Sequence, residues 1–184
     1  MILFINACVR KNSRTKILAD HLLSKLNDDI EEVCLEKVNF PVTTEEFLNF
    51  RQDCIDKKDF SDPIFDLAKQ FAAADTIVLA APYWDLSFPA AVKQYIEHIN
   101  VIGLTFAYTP EGKPMGLCKA KKIYYVSSAG GVFVPNEFGY EYIKTMANAY
   151  YGIPDVELIQ AIGLDLDGAD PDKIMEEAIE SINI

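Results

Sequence analysis

Pro82-Tyr83-Trp84-Asp85 sets two aromatic rings and a carboxylate between an apolar run, Thr76 to Ala81, and a helical pattern, Phe88 to Ile99. A point where a buried strand gives way to a helix is the carboxyl edge at which open parallel sheets bind ligands. Two rings presented together there suit a flat conjugated ligand. The competing reading is that Tyr83 and Trp84 merely cover the end of a core.

A second loop, Cys8 to Thr15, carries different chemistry. Arg10, Lys11, Arg14 and Lys16 are four cations within seven residues, with no acid among them, in a chain of net charge -11. Ser13 and Thr15 add hydroxyls where a helix starts. Helix N-terminal amides, hydroxyls and guanidinium groups together make a phosphate site. Alternatively, Ser13 is an N-cap and the cations form a solvated face. No glycine-rich GxGxxG and no Walker lysine motif is present, so neither a dinucleotide fold nor a P-loop is supported. A third loop, Ser127-Ser128-Ala129-Gly130-Gly131, joins small hydroxyl residues to two glycines, which let the backbone approach a ligand and offer it amides. An ordinary turn would read the same way.

The elements that must position these loops alternate. Strands are expected at Met1–Asn6, Glu31–Val38, Thr76–Ala81, Ile123–Val126 and Val156–Ile162. Helices are expected at Arg14–Leu26, Thr43–Lys57, Pro63–Ala74, Phe88–Ile99, Glu137–Tyr150 and Pro171–Ile182, the last opened by an Asp170 N-cap. Such βα alternation predicts a parallel sheet with helices on both faces, an α/β three-layer sandwich. The strands at Met1, Thr76 and Ile123 are apolar throughout and belong in the centre. Those at Glu31 and Val156 carry polar groups and belong at the edges. Five parallel strands in the order 2-1-3-4-5, the flavodoxin-like arrangement, satisfy this, and they bring the first, third and fourth loops side by side. No repeat or linker divides residues 1–184, so one domain is expected. The long segment Asn100 to Lys122 is the exception to compactness, and loops of that length are usually functional.

Composition removes other classes. The acidic balance disfavours nucleic acid and anionic lipid as partners. No apolar run approaches the length of a membrane span, and the N-terminus enters a strand without a basic leader. Cys8, Cys34, Cys54 and Cys118 lack CxxC spacing, which argues against a metal site or disulfide framework and for a reducing cytoplasm. Cys8, near Arg10 and a helix start, could have a lowered pKa, but no histidine neighbours it in sequence. His98 reads as a partly exposed helix residue rather than a catalyst, and His21 receives no role.

A phosphate loop, an aromatic platform and a glycine-rich amide loop at one sheet edge together match FMN. At these residues the chain resembles the FMN-dependent NAD(P)H quinone oxidoreductases and azoreductases of the flavodoxin-like fold. Ser13-Arg14-Thr15 is similar to that family's Ser-x-Ser phosphate loop. Pro82-Tyr83-Trp84-Asp85-Leu86 stands where the family has Pro-x-Tyr-Asn-Phe, and Ser127 to Gly131 where many members have Ser-Arg-Gly-Gly. Pro89 to Lys93, Gly103 to Phe106, Gly152-Ile153 and Asp155-Val156 extend the resemblance over nearly the whole chain. The departures are Cys8 where serine is frequent, Asp85 for asparagine and Ala129 for arginine. An unpaired Asp85 carboxylate near the ring would disfavour anionic reduced flavin.

The resemblance implies a cytoplasmic homodimer and a ping-pong cycle. NADH or NADPH gives two electrons to bound FMN, and a quinone, azo or nitro compound takes them in the same pocket. It implies FMN held by Arg10, Ser13, Arg14, Thr15, Pro82 to Leu86 and Ser127 to Gly131. Tyr83, Trp84, Phe106 and Tyr108 would wall the substrate pocket, with the loop of Phe106 and Tyr108 reaching in from the partner. No side chain need serve as catalytic acid or base. The competing classes are a flavodoxin-like one-electron carrier and a flavin-binding interaction module.

Overall fold

The structure is a computed structural model that describes residues 1–184. Its strands are β1 (Ile2–Asn6), β2 (Ile30–Cys34), β3 (Thr76–Ala80), β4 (Phe106–Tyr108), β5 (Pro114–Gly116), β6 (Lys122–Ser128) and β7 (Asp155–Ala161). Its helices are α1 (Arg14–Lys25), α2 (Glu45–Lys57), α3 (Asp66–Ala73), α4 (Ala90–Ile99), α5 (Tyr140–Met146) and α6 (Pro171–Glu180). The main sheet runs β2-β1-β3-β6-β7 with every pair parallel. This is the expected order 2-1-3-4-5, with β6 and β7 as the fourth and fifth strands.

Side chains alternate across the sheet, so each apolar strand feeds two cores. Leu3, Ile5, Ile77, Leu79, Ile123 and Tyr125 face one side and pack against Phe71 of α3 and Val92, Tyr95 and Ile99 of α4. Ile2, Phe4, Val78, Ala80, Tyr124 and Val126 face the other and pack against Leu18 and Leu22 of α1 and Met175 of α6. The four-residue spacing of the α1 leucines serves this second core, and Ser13 caps the helix by accepting from the Lys16 amide at 3.3 Å.

Several boundaries differ from those expected. β2 stops at Cys34, because Leu35 is buried and the chain turns through a 3-10 helix at Leu35–Lys37. The third helix begins as a 3-10 turn at Pro63–Phe65, capped by Asp62, before α3 proper. The helix expected to Tyr150 divides after Met146. A π-helical turn, Ala147–Tyr151, follows and ends at Gly152, whose φ of +71° favours glycine. β6 runs to Ser128, so Ser127 and Ser128 are strand residues rather than loop.

The segment Asn100 to Lys122 holds a small antiparallel hairpin, β4–β5, with Phe106 opposite Gly116. A Cβ on Gly116 would stand 2.1 Å from the backbone nitrogen of Gly152, so the hairpin rides directly on the end of the π turn. Phe106 packs edge-on against Tyr150 at 4.9 Å and helps hold it there. Arg51 of α2 donates to the carbonyls of Glu97, His98 and Asn100, which satisfies the exposed end of α4.

Tyr95 carries an unpartnered polar group: its fully buried hydroxyl has no hydrogen-bond partner. Desolvation pushes its ionisation far above the ordinary range. Tyr95→Phe is therefore expected to raise stability against urea by about 1 kcal/mol, the usual cost of an unsatisfied hydroxyl. A loss of stability would show that the hydroxyl is satisfied in solution.

Candidate functional site

The parallel ladder continues beyond the strands and carries the loops with it. The Ala7 amide donates to the Ala80 carbonyl, Ala81 to Val126 and Ala129 to Ala161, each at 2.9 Å. The Tyr83 amide then donates to the Ser128 carbonyl at 3.2 Å. The first, third and fourth loops thus leave the sheet side by side. Between them lies a pocket of about 290 Å³.

Of the residues expected there, Arg10, Ser13, Arg14, Thr15, Pro82, Tyr83, Trp84, Ser128, Ala129 and Gly130 line it. Asp85, Leu86, Ser127 and Gly131 do not. Ser127 is buried beneath the strand end, whereas Asp85 and Leu86 form the exposed tip of a turn. In that turn Trp84 and Ser87 exchange both backbone hydrogen bonds, at 2.9 and 2.8 Å. Asp85 and Leu86 have φ of +50° and +67°, the paired positive values of a type I′ turn, which ordinarily selects asparagine and glycine. The Asp85 carboxylate therefore stands at the turn tip rather than on the pocket wall.

Phe106 and Tyr108 do not line this pocket within one chain. Phe106 is buried under the hairpin, and Tyr108 is exposed on it. His98 stacks on Phe40 at 5.1 Å and has its pKa lowered, first by burial and then by Arg51; it belongs to the α2–α4 groove. Burial likewise pushes the Cys8 thiol up, with a Ser13 hydrogen bond opposing, so the structure does not supply the lowered pKa that a reactive Cys8 would need.

Val9, Asn12, Leu164 and Asp165 also line the pocket, and sequence reasoning missed them. Leu164 and Asp165 come from the loop after β7, which no motif marks. Their amides, with that of Gly163, donate to the carbonyls of Ala129, Gly130 and Gly131 at 2.9–3.3 Å, so this loop splints the glycine loop. Asn6 was missed too. Its buried side chain accepts from the Cys8 amide at 2.9 Å and donates to Glu32 at 2.8 Å, turning the chain out of β1 into the first loop. An asparagine ending an apolar strand was the available signal.

The first loop is not the bare cationic patch that the sequence suggests. Lys16 is paired with Asp20 and Arg14 with Asp165, both at 2.7 Å. Thr15 is fully buried, and its hydroxyl shares a 2.7 Å hydrogen bond with Ser128. Its role in the fold is to tie α1 to the end of β6. The amides of Arg14 and Thr15 at the start of α1, and those of Gly130 and Gly131, donate to nothing within the chain. Three of these unspent amides, those of Arg14 and Thr15 at a helix N-terminus and that of Gly130, belong to residues that line the pocket, and together they make an anion-binding and carbonyl-binding cradle. A phosphate at one end and a planar polar-edged ring at the other fit this donor set and the Tyr83–Trp84 wall.

The model of a family described as having the flavodoxin-like fold matches residues 1–183. The chain belongs to that family. It is 35% identical to an FMN-dependent NADH:quinone oxidoreductase of Clostridium perfringens, over 97% of this chain and 94% of the relative. It is 37% identical to FMN-dependent NADH:quinone oxidoreductase 2 of Clostridium acetobutylicum, with the same coverage of each. Among solved structures it resembles an azoreductase from Bacillus anthracis with a TM-score of 0.82 and 26% identity, over 97% of this chain and 94% of that one.

Two outcomes follow from this geometry. Thr15→Val should lower stability by about 1 kcal/mol without any ligand present, since it removes a buried hydroxyl pair; unchanged urea unfolding would contradict that role. Cys8 should also be alkylated by iodoacetamide at pH 7.5 more slowly than the half-buried Cys34 and Cys54. Peptide mass spectrometry reads the order, and a faster Cys8 would show an activated thiol.

Proposed function

We propose that this chain is an FMN-dependent oxidoreductase that passes two electrons from NADH or NADPH to quinones, azo or nitro compounds. The observation that carries it is the pairing of free amides on the first and glycine loops across a pocket walled by Tyr83 and Trp84. The sustained similarity to FMN-dependent NADH:quinone oxidoreductases supports the same reading. Bound FMN supplies the redox chemistry, with donor and acceptor using one pocket in turn, a ping-pong order.

The chain's own residues bind, orient and shield. The Arg14 and Thr15 amides and the Ser13 hydroxyl would hold the phosphate, with Arg10 and Arg14 supplying charge. Tyr83 and Trp84 would lie along the ring system, and Pro82 fixes the backbone that presents them. The Gly130 amide would donate to the polar edge of the ring, with Ala129 and Ser128 beneath and Gly131 carrying the loop away from the pocket. Ser127 anchors that loop to the sheet, while Asp85 and Leu86 hold the turn that aims Trp84. No residue is assigned as acid or base, and the proton that accompanies the electrons comes from solvent through the open face of the pocket.

We read residues 1–184 as one domain and the active form as a homodimer. The hairpin and its flanks leave Tyr108 exposed on one face and Met115 and Leu117 exposed on the other, apolar side chains that suit a partner subunit, and a partner seated on the first face would bring Tyr108 to its own pocket. No helix is long and apolar enough to cross a membrane. Four unpaired thiols support a cytoplasmic setting.

The full-length protein should carry one FMN per chain, be bleached by NADH or NADPH within seconds to minutes, and recover colour with a small quinone. Slow reduction by both nicotinamides with ready one-electron uptake would instead identify a carrier. A chain that stays colourless after incubation with excess FMN would overturn the flavin reading.

A further inference from the structure

Asp165 is the one acidic residue lining the pocket, and the proposed function leaves it without a part. It is an acid at a site argued to hold a phosphate. Its carboxylate accepts from Arg14 Nη2 at 2.7 Å, while Arg14 Nη1 donates to the Leu164 carbonyl at 3.3 Å. Arg14 is the first residue of α1, so this pair joins the phosphate end of the pocket to the loop after β7. The position of the carboxylate is imposed from below. The Asp165 amide is bound to the Gly130 carbonyl at 2.9 Å, and a Cβ on Gly130 would stand 2.2 Å from Asp165 Oδ2. Glycine at 130 thus leaves room for this carboxylate as well as for a ligand. The Arg14 guanidinium that grips this carboxylate is a donor that a phosphate oxygen would also use.

The Asp165 side chain is 64% exposed and that of Arg14 33%. A pair this open to water contributes little to the fold and exchanges readily for another anion. A carboxylate fixed near a phosphate also repels it, and at the edge of a protein that repulsion is worth several-fold in affinity.

We propose that Asp165 is an internal counter-anion of the cofactor site. It holds Arg14 when no ligand is present and competes with the ligand phosphate for that guanidinium. It thereby limits how strongly a phosphorylated flavin is preferred over an unphosphorylated one. Asp165 is a positioning residue acting through Arg14, and the inference rests on the FMN reading above.

Trp84 is the one tryptophan of the chain and lines the pocket, so its fluorescence reports occupancy. Flavin loss from the loaded full-length protein, and rebinding of FMN or riboflavin to it, would be followed in the wild type, Asp165→Asn, Asp165→Glu and Asp165→Asn combined with Arg14→Gln. Asp165→Asn is expected to tighten FMN by about three- to tenfold and to leave riboflavin within about twofold. Asp165→Glu keeps the charge and should stay near the wild type. The gain should shrink once Arg14 is replaced. Weaker FMN in Asp165→Asn would make the pair a strap that closes over the ligand, and would overturn the proposal. So would an unchanged FMN-to-riboflavin ratio in a protein that still prefers FMN. A wild type that binds FMN no better than riboflavin would instead remove the phosphate site itself, and this inference with it.

Discussion

β1, β3 and β6 pair in parallel, and the first, third and glycine-rich loops of the candidate site take their positions from the carboxyl edge these strands share. Parallel pairing with both faces buried forces these strands to be apolar throughout and their connections to cross over as helices. The chain then has no choice about where three of its loops emerge. The ladder extends this control by one residue past each strand, through Ala7, Ala81 and Ala129. Phosphate-type donors, aromatic rings and glycine amides, far apart in sequence, are thus brought around one pocket.

Polar chemistry at that edge is held by a thin layer of buried hydrogen bonds. Asn6 directs the chain out of β1, and Thr15 couples α1 to Ser128. The loop after β7 spends its amides on the carbonyls of the glycine loop, which leaves that loop's own amides free for a ligand. Preorganised donors of this kind need no rearrangement when a ligand arrives, which is where binding sites gain over water. Local strain is kept at the turn tip, where Asp85 and Leu86 accept left-handed conformations that Trp84 and Ser87 enforce by closing both hydrogen bonds around them.

Charge balance in this acidic protein is local rather than global. The cations of the first loop stand out in a chain of net charge -11, yet two of the four are matched by acids in space. Lys16 and Asp20 are matched along one helix, a relation readable from their spacing. Arg14 and Asp165 are matched across the pocket, from opposite ends of the chain. An anion entering the site therefore meets a graded field, open at Arg10 and already occupied at Arg14.

The strand order, the central and edge roles of the strands and the three converging loops were all readable from periodicity, because burial on two faces imprints itself on every residue of a strand. Ten of the expected site residues meet in one pocket for the same reason. What could not be read depended on contacts between segments with no shared local pattern. The hairpin at β4–β5 exists because Gly116 can lie against Gly152, and neither glycine announces the other. The helix expected to Tyr150 breaks into a π turn because Gly152 takes a left-handed conformation and Ile153 bonds back to Ala147. Asp165 enters the site because the loop after β7 bonds to the glycine loop, and that bond is between backbones, which carry no sequence signature. Local pattern specifies which faces are buried, whereas the partners of backbone amides and of long charged side chains are chosen by whatever the packed elements bring within about 3 Å of them.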